Sequence, residues 1–304
     1  MSENAKSYKN YKVYARTVHG STLKTTVESL KESFEEIPIR FSREEGITIH
    51  ALGDHGRAIG SVLKLDTSLF DEFYIDENED DVVVAIDITL FNLTLKSCSN
   101  NEVVTISITH DNQHSVFVTR YDEKHNKSKT FGINTLEIDD EDGSKARLVL
   151  ENKLKQNIAQ ESYDIPCSVF VQACKDALLI KSEYIELCTQ GNSFIFSAKD
   201  MNQLMYYEEK IDMKNKDNIE TTTDVRSHRY SLINLNAFNK CAVLSEEVSI
   251  KIGTRGELVM EYLIDSNSSS NSYSFIVFMM MPIKESPTHR KKSGGRVEDS
   301  DYEA

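Results

Sequence analysis

Two stretches of the chain, NLTLKSCSNNEVVTISI at residues 92–108 and NAFNKCAVLSEEVSIKI at residues 236–252, decide the fold because they repeat one pattern. The pairs at a constant offset of 144 residues are Asn92 with Asn236, Lys96 with Lys240, Glu102 with Glu246, Val104 with Val248, Ile106 with Ile250 and Ile108 with Ile252. Upstream, GITIHALGD at 46–54 matches NSFIFSAKD at 192–200. Such a shared offset indicates two tandem copies of one domain of roughly 120 to 140 residues.

Each copy combines two helices with many strands. In the first helix Leu23, Val27, Leu30 and Phe34 recur at helical spacing and predict one buried stripe. The other helices are predicted near residues 89–97, 166–179 and 234–244, and most of the remaining segments alternate like strands. The predicted class is therefore α+β, with the helices packed on one face of antiparallel sheets.

Composition shifts place the domain boundaries. Residues 1–12 are predicted to be a flexible polar arm, 13–138 the first domain, 139–162 a charged linker, 163–284 the second domain and 285–304 a disordered tail. The linker carries four apolar residues in a charged context. A short surface helix is an alternative interpretation, and it is compatible with a linking role.

Charge and cysteine content narrow the class of protein. The chain has 49 acidic and 35 basic residues, for a net charge of −14, which argues against nonspecific adhesion to nucleic acid or membranes. Its five cysteines are odd in number and form no CxxC, so buried reduced thiols are expected. The polar start is unlike a signal peptide, and the longest apolar run, 275–282, is too short to span a bilayer. A soluble intracellular protein is predicted.

No constellation of residues predicts catalysis, a metal site or a cofactor. His110 and His114 are four apart, but they lie in an expected turn that would not align them for a metal. The acidic run 137–142 is out of step with a calcium loop, and the acidic run 76–81 is typical of a solvated loop. P-loop, GxGxxG and GxSxG motifs are absent from the sequence. The chain is predicted not to be an enzyme.

Several segments, in order and spacing, resemble one known family. They are ARTVHGSTLKTTVESLKESF from residue 15, EEGITIHALGDHGRAIGSVLKLDTSLFDEFY from 44, LTLKSCSNNEVVTISI from 93, PCSVFVQACKDALL from 166, NSFIFSAK from 192, and LVMEYLID with FIVFMMMPIK near the C-terminus. From about residue 13 to 284 the chain is similar to the proliferating cell nuclear antigen (PCNA) family of DNA sliding clamps.

The resemblance implies a homotrimeric ring whose helices line the hole and whose sheets lie outside. Such a ring is a DNA polymerase processivity factor that encircles double-stranded DNA without reading its sequence. Its implied partners are a DNA polymerase, a separate clamp loader, a ligase and nucleases, which dock through short peptide motifs. The implied location is the nucleus, or a viral replication compartment if the protein is virus-encoded; no membrane association is implied.

Lysines on the helices are the predicted DNA-binding residues, because phosphates are held by cations that touch no base edge. The resemblance implies pore positions for Lys24, Lys31, Lys96, Lys175 and Lys240. Four positions depart from the family's basic pattern: Thr25, Leu93, Gln172 and Ile233. A less positive pore and a DNA contact more sensitive to salt are expected. An ordinary solvated helix face is the alternative for any single lysine.

Two further surfaces follow from the resemblance. A partner-peptide pocket is implied between the linker and the C-terminal segment, at Leu52, Leu148, Leu150, Leu154, Ile158, Phe278, Met279, Met281 and Pro282. A core strand is the alternative for part of 278–281. Ring closure is implied between edge strands at 129–137 and 203–211, with Phe131, Ile133, Met205, Tyr206 and Tyr207 at the subunit interface. Interior packing is the alternative for the two tyrosines.

Two other functions remain open beside the homotrimeric clamp. One is a subunit of a heterotrimeric checkpoint-type clamp, which shares the fold but differs in interface and linker. The other is a scaffold of the same fold that binds partners without encircling DNA. The four missing basic positions keep both alternatives open.

Overall fold

The computed structural model describes residues 8–53, 59–99, 102–137, 140–157, 162–190, 192–212, 226–267 and 272–283. The first copy comprises β1 (Tyr11–Thr17), α1 (Gly20–Leu30), β2 (Glu36–Ser42), β3 (Gly46–Leu52), β4 (Ile59–Leu65), β5 (Glu72–Ile75), β6 (Asp81–Asp87), α2 (Ile88–Lys96), β7 (Glu102–Thr109), β8 (Ser115–Asp122) and β9 (Lys127–Asn134). Helix α3 (Asp140–Asn157) connects the copies. The second comprises β10 (Ser162–Pro166), α4 (Cys167–Leu179), β11 (Tyr184–Gln190), β12 (Ser193–Lys199), β13 (Tyr206–Asp212), β14 (Arg226–Ser231), α5 (Leu232–Phe238), β15 (Glu247–Ile252), β16 (Leu258–Asn267) and β17 (Ser272–Met280).

The strands form three antiparallel sheets. One has the order β5-β1-β7-β8-β9, and another has the order β13-β12-β11-β14. Between them an eight-stranded sheet runs β10-β15-β16-β17-β4-β3-β2-β6 and so contains strands of both copies. The copies meet where β17 pairs with β4, residues 275–280 lying opposite 64–59. We call this pairing the seam.

The helices of both copies pack together as one layer on the inner face of the sheets. Helix α1 contacts α2 and α5, α4 contacts α5, and a 3₁₀ helix after α5, Asn239–Val243, contacts both α1 and α4. The predicted stripe of α1 is confirmed, since Leu23, Val27 and Leu30 are buried in the core. We call these helices the helical layer. The predicted α+β class is therefore confirmed.

A buried arginine fixes the end of α2 to the sheet. Arg120 of β8 donates to Glu102 (Nε–Oε2, 2.8 Å), to the Thr94 carbonyl (2.9 Å) and to the Ser97 carbonyl (3.0 Å). The last two are carbonyls at the C-terminal end of α2, which lack helical partners. Burial raises the pKa of Glu102, but the hydrogen bonds and charge of Arg120 outweigh it and lower that pKa below its usual value.

The repeat is visible in matching burial. Val104, Ile106 and Ile108 of β7 and their counterparts Val248, Ile250 and Ile252 of β15 all face the core. The match between 46–54 and 192–200 is shifted by one residue. Ile47, Ile49 and Ala51 face the core, and so do Phe194, Phe196 and Ala198, so these residues correspond with an offset of 147. The match read from the sequence would pair each of them with a side chain on the opposite face, because a slip of one residue reverses the side to which every side chain points.

Several element boundaries differ from the predictions. Strand β1 begins at Tyr11, inside the predicted arm, and β10 begins at Ser162, inside the predicted linker. Most of the predicted linker is the 18-residue helix α3. Strand β2 was not predicted, although Ile37, Ile39 and Phe41 alternate as buried residues. The predicted edge strand at 129–137 is β9, Lys127–Asn134, and the predicted tail 285–304 lies outside the described residues.

One turn explains a local feature of the sheets. Gly46, between β2 and β3, has φ = +80°, and a Cβ there would lie 2.2 Å from the Leu65 carbonyl oxygen, so glycine is required.

Across the described ranges, no three His, Cys, Asp or Glu side chains converge as a metal ion would need. No helix in that part of the chain is long and apolar enough to cross a bilayer. Four of the five free cysteines are buried, and Cys188 is half-buried.

Candidate nucleic-acid interface and docking surface

The helical layer carries all five predicted DNA-binding lysines. Lys24 lies within α1 and Lys31 directly follows it; Lys96 ends α2, and Lys175 lies in α4. Lys240 lies in the 3₁₀ helix that follows α5, and not in an α-helix as predicted. The fold therefore brings the five lysines to one layer.

Two of the five lysines are engaged by carboxylates. Lys240 Nζ lies 3.0 Å from Glu32 Oε1 and 3.9 Å from Glu28 Oε1, and Lys31 lies 3.6 Å from Glu32. The hydrogen bond from Lys240 holds the pKa of Glu32 below its usual value. Among the described residues, no carboxylate lies within ion-pair distance of the other three lysines. Lys24, Lys96 and Lys175 are therefore the most available cations of the set.

The positions that depart from the family's basic pattern add exposed apolar surface to the layer. Leu93 of α2 is 55% exposed and Ile233 of α5 is 79% exposed. Gln172 is exposed in α4 and bonds Asp176 at 2.9 Å, while Thr25 is half-buried in α1. Apolar and neutral groups make no favourable Coulomb contact with phosphate, so the cationic surface is limited to the lysines.

The opposite face of the seam carries a small apolar cluster. Val62 of β4, Val259 of β16, and Val277 and Met279 of β17 pack around Leu150 of α3. We call these five residues the seam cluster. Leu52, Leu154 and Phe275 are half-buried against it. Because the cluster lies on the outer face of the eight-stranded sheet, it is separate from the main core.

The predicted pocket residues fall into three groups. Leu52, Leu150, Leu154 and Met279 lie at the seam cluster, whereas Leu148 is 65% exposed on α3. Met281 is exposed and Pro282 half-buried just beyond β17. Phe278 points the other way into the core, where its ring stacks on Phe238 at a centroid distance of 4.2 Å, so its assignment to the pocket is corrected. Ile158 lies outside the described residues.

Six strands end the three sheets among the described residues, and two of them, β9 and β13, carry the predicted interface residues or adjoin them. Strand β9 ends the five-stranded sheet, and β13 ends the four-stranded sheet. Phe131 of β9 is 37% exposed, and Met205 and Tyr206 at the start of β13 are more exposed. Ile133 is already buried and Tyr207 is half-buried on the inner side. An open backbone edge readily pairs with another strand.

Two copies of one α+β domain, with lysines on a common helical layer and sheets behind it, define the class of clamp-fold proteins. A family model described as "Proliferating cell nuclear antigen, N-terminal domain" matches residues 13–165, half of the chain. The chain belongs to the proliferating cell nuclear antigen family.

Two curated relatives are similar over most of their length. Proliferating cell nuclear antigen of Caenorhabditis elegans is 22% identical over 269 residues, covering 85% of this chain and 94% of that relative. A protein of Paramecium bursaria Chlorella virus 1 named "Probable DNA polymerase sliding clamp 1" is 23% identical over 266 residues, covering 84% of this chain and 94% of that relative. The predicted family resemblance is thus confirmed.

Proposed function

We propose that the chain is the subunit of a DNA sliding clamp, a homotrimeric ring that encircles duplex DNA and acts as a polymerase processivity factor. It works as a scaffold without catalysis at sites of DNA replication, in the nucleus or a viral replication compartment. Family membership supports the clamp function, and the names of both relatives agree with it. The number of three subunits rests on the family resemblance.

The seam is the observation that carries the ring proposal. Within one chain, the last strand of the second copy, β17, pairs with the fourth strand of the first copy, β4. Their counterparts in the repeat are β9 and β13, two of the six strands that end the sheets among the described residues. Repeating the seam between chains would join β9 of one subunit to β13 of the next, and such head-to-tail contacts close into a ring.

The seam also supplies a register for this joint. Phe131 pairs with Val118 in the hairpin of β8 and β9. Phe278 pairs with Met260 in the equivalent hairpin of β16 and β17, so the two phenylalanines occupy the same position in the repeat. Tyr207 pairs with Ala198 as Ser61 pairs with Ala51, so these two are counterparts as well. Since Phe278 lies opposite Ser61 at the seam, Phe131 is expected opposite Tyr207 of the adjoining subunit.

This register matches the chemistry of both edges. An antiparallel joint with Phe131 opposite Tyr207 also places Ile133 opposite Met205 and Lys129 opposite Glu209. The side chains of all three pairs would lie on the inner side of the sheet. An aromatic pair, an apolar pair and an opposite-charge pair each favour cross-strand association. The five interface residues predicted from the sequence are all at or next to these positions.

DNA contact is assigned to Lys24, Lys96 and Lys175, with Lys31 and Lys240 weakened by Glu32. Lysines on the inner layer of a ring would bind phosphates regardless of sequence. Partner peptides from a polymerase, clamp loader, ligase or nuclease are assigned to the outer face at the seam, where Met281 and Leu148 are exposed beside the seam cluster. A flexible Leu and Met surface suits varied apolar ligands.

Light scattering on the purified chain tests the proposal most directly. A mass near three times 34.6 kDa is expected. A monomer over a wide range of concentration would contradict the homotrimer and favour the heterotrimeric checkpoint-type subunit or the non-encircling scaffold. Retention on circular but not linear duplex DNA would then separate a ring from a scaffold, because only a closed ring is topologically trapped.

A further inference from the structure

Helix α3 touches the seam through very few side chains. Leu150 is fully buried in the seam cluster and Leu154 is half-buried against it, while Leu148 and Val149 are exposed. The contact is close: a Cβ placed on Gly60 of β4 would lie 2.6 Å from Leu150 Cδ2. A side chain at residue 60 would therefore require the end of the Leu150 side chain to shift. Leu150 therefore fills a shaped apolar site in the sheet.

The rest of α3 gives it little stability of its own. Its sequence, DEDGSKARLVLENKLKQN, is polar on almost every side and contains Gly143 within the helix. In proteins most of the stability of a helix comes from packing of an apolar face, which α3 largely lacks, and an internal glycine weakens a helix further. The ion pair of Arg147 with Glu151 at 2.7 Å lies within the helix, whereas the contact of Arg147 with Glu45 at 3.8 Å reaches the sheet. Burial of Leu150 is thus the main anchor that positions α3.

We propose that α3 is a resident ligand of the seam cluster, and that Leu150 occupies the site an apolar side chain of a partner peptide would take. The inference rests on the proposed function, whose docking surface lies at this place, and it specifies how that surface is regulated. A partner helix with a leucine-like anchor binds only when α3 leaves or shifts. Leu150 is then a competitor of the partner and not a wall of its pocket.

The two possible roles of Leu150 predict opposite effects of a polar substitution on peptide binding. If Leu150 forms a wall, replacing it by a polar residue weakens peptide binding. If it is a competitor, the same replacement opens the site and strengthens binding, because apparent affinity scales with the open fraction. A site open in less than a tenth of the molecules would gain about tenfold or more.

The test uses the chain's own helix as the probe. A fluorescent synthetic peptide of residues 140–157 is titrated into the full chain, its Leu150→Ser variant and a matched Val149→Ser control, with anisotropy as the readout; Val149 is 39% exposed on the same helix. We expect the Leu150→Ser chain to bind the peptide about tenfold or more tightly than the other two chains. A peptide that itself carries Leu150→Ser should not bind. Equal or weaker binding by the Leu150→Ser chain would overturn the proposal.

Hydrogen exchange supplies a second readout. Amides of α3 should lose protection in the Leu150→Ser variant and keep it in the Val149→Ser control; unchanged protection in Leu150→Ser would contradict the proposal. If Leu150→Ser does not fold, residues 145–155 are replaced by a Gly/Ser segment of equal length, which spans the roughly 16 Å of helix that it replaces. That chain should also bind the native peptide, and failure to bind it would count against the inference.

The ring is assessed separately on the same samples by light scattering. Peptide binding by a monomeric chain would uphold the role of α3 while refuting the homotrimer. A trimer that does not bind the peptide would uphold the homotrimer and refute the role of α3.

Discussion

The ammonium nitrogen of Lys240 lies 3.0 Å from a carboxylate oxygen of Glu32 and so joins the second copy of the domain to the first across the helical layer. The same carboxylate lies 3.6 Å from Lys31. Glu32 therefore neutralises part of the surface that the proposed ring would offer to DNA. This contact is not evident from the sequence, where the two residues are far apart.

Replacing Glu32 by glutamine should strengthen DNA binding. Removing the carboxylate frees Lys31 and Lys240 for phosphate, so the plot of log affinity against log salt concentration should steepen by about one. Lys96→Ala, which removes a lysine outside this ion pair, should cost more affinity than Lys240→Ala in the native chain. An unchanged salt slope in Glu32→Gln would show that neither lysine faces the DNA.

Exchanging charges across the proposed joint should test its register. Lys129→Glu places a carboxylate opposite Glu209, so the concentration needed for half-assembly should rise by roughly 2- to 5-fold. Adding Glu209→Lys should restore assembly, as measured by light scattering during dilution. Adding Glu208→Lys changes the net charge equally but lies on the other side of the strand, so it should not restore assembly. Equal rescue by both would refute the register.

Replacing Arg120 by methionine should cost about 3 to 5 kcal/mol of unfolding free energy, since it leaves Glu102 buried without its cation. Urea denaturation of the native and variant chains gives the difference. Arg16→Met is the matched control, because Arg16 pairs with Glu72 at 3.3 Å where both side chains keep about a third of their surface in contact with solvent, and it should cost about 1 kcal/mol or less. A similar loss in both variants would contradict the role given to Arg120.

The stability of the chain should fall at mildly acidic pH because of His50. This histidine is half-buried, and burial lowers its pKa below the usual 6.5, although Glu151 and Glu45 oppose that shift. The unfolded chain then binds more protons, so the stabilisation is complete above pH 6.5 and is lost as the pH falls below that value. His50→Gln should flatten this pH dependence of the unfolding free energy. An unchanged pH dependence in His50→Gln would contradict this assignment.

The repeat, the helices and the family were predictable because burial imposes period and spacing on the sequence. Val104, Ile106 and Ile108 alternate as a half-buried strand must, and the same alternation at 248–252 exposes the duplication. Strand β2 showed the same signal at Ile37 and Ile39. Pro38 within it is the kind of residue that argues against a strand, yet it lies in the sheet opposite Ala85.

The face of the sheet to which a given side chain points was harder to predict than the presence of the strand. Phe278 and Met279 are adjacent, and alternation says only that they face opposite ways. The structure turns Phe278 to the core and Met279 to α3. Helix α3 itself lacks an apolar stripe, since Leu150 alone is fully buried among its described side chains, so periodicity could not distinguish a helix from a charged linker. The outer docking surface depends on both of these points.

The continuity of the eight-stranded sheet has a mechanical consequence for the proposed ring. Each subunit would be a stiff arc, because its internal joint is spanned by α3 and by the covalent chain as well as by strand pairing. The joint between subunits would have only β9, β13 and their side chains. A force that opens the ring would therefore separate two subunits at their joint, and each subunit would move as a rigid body without bending.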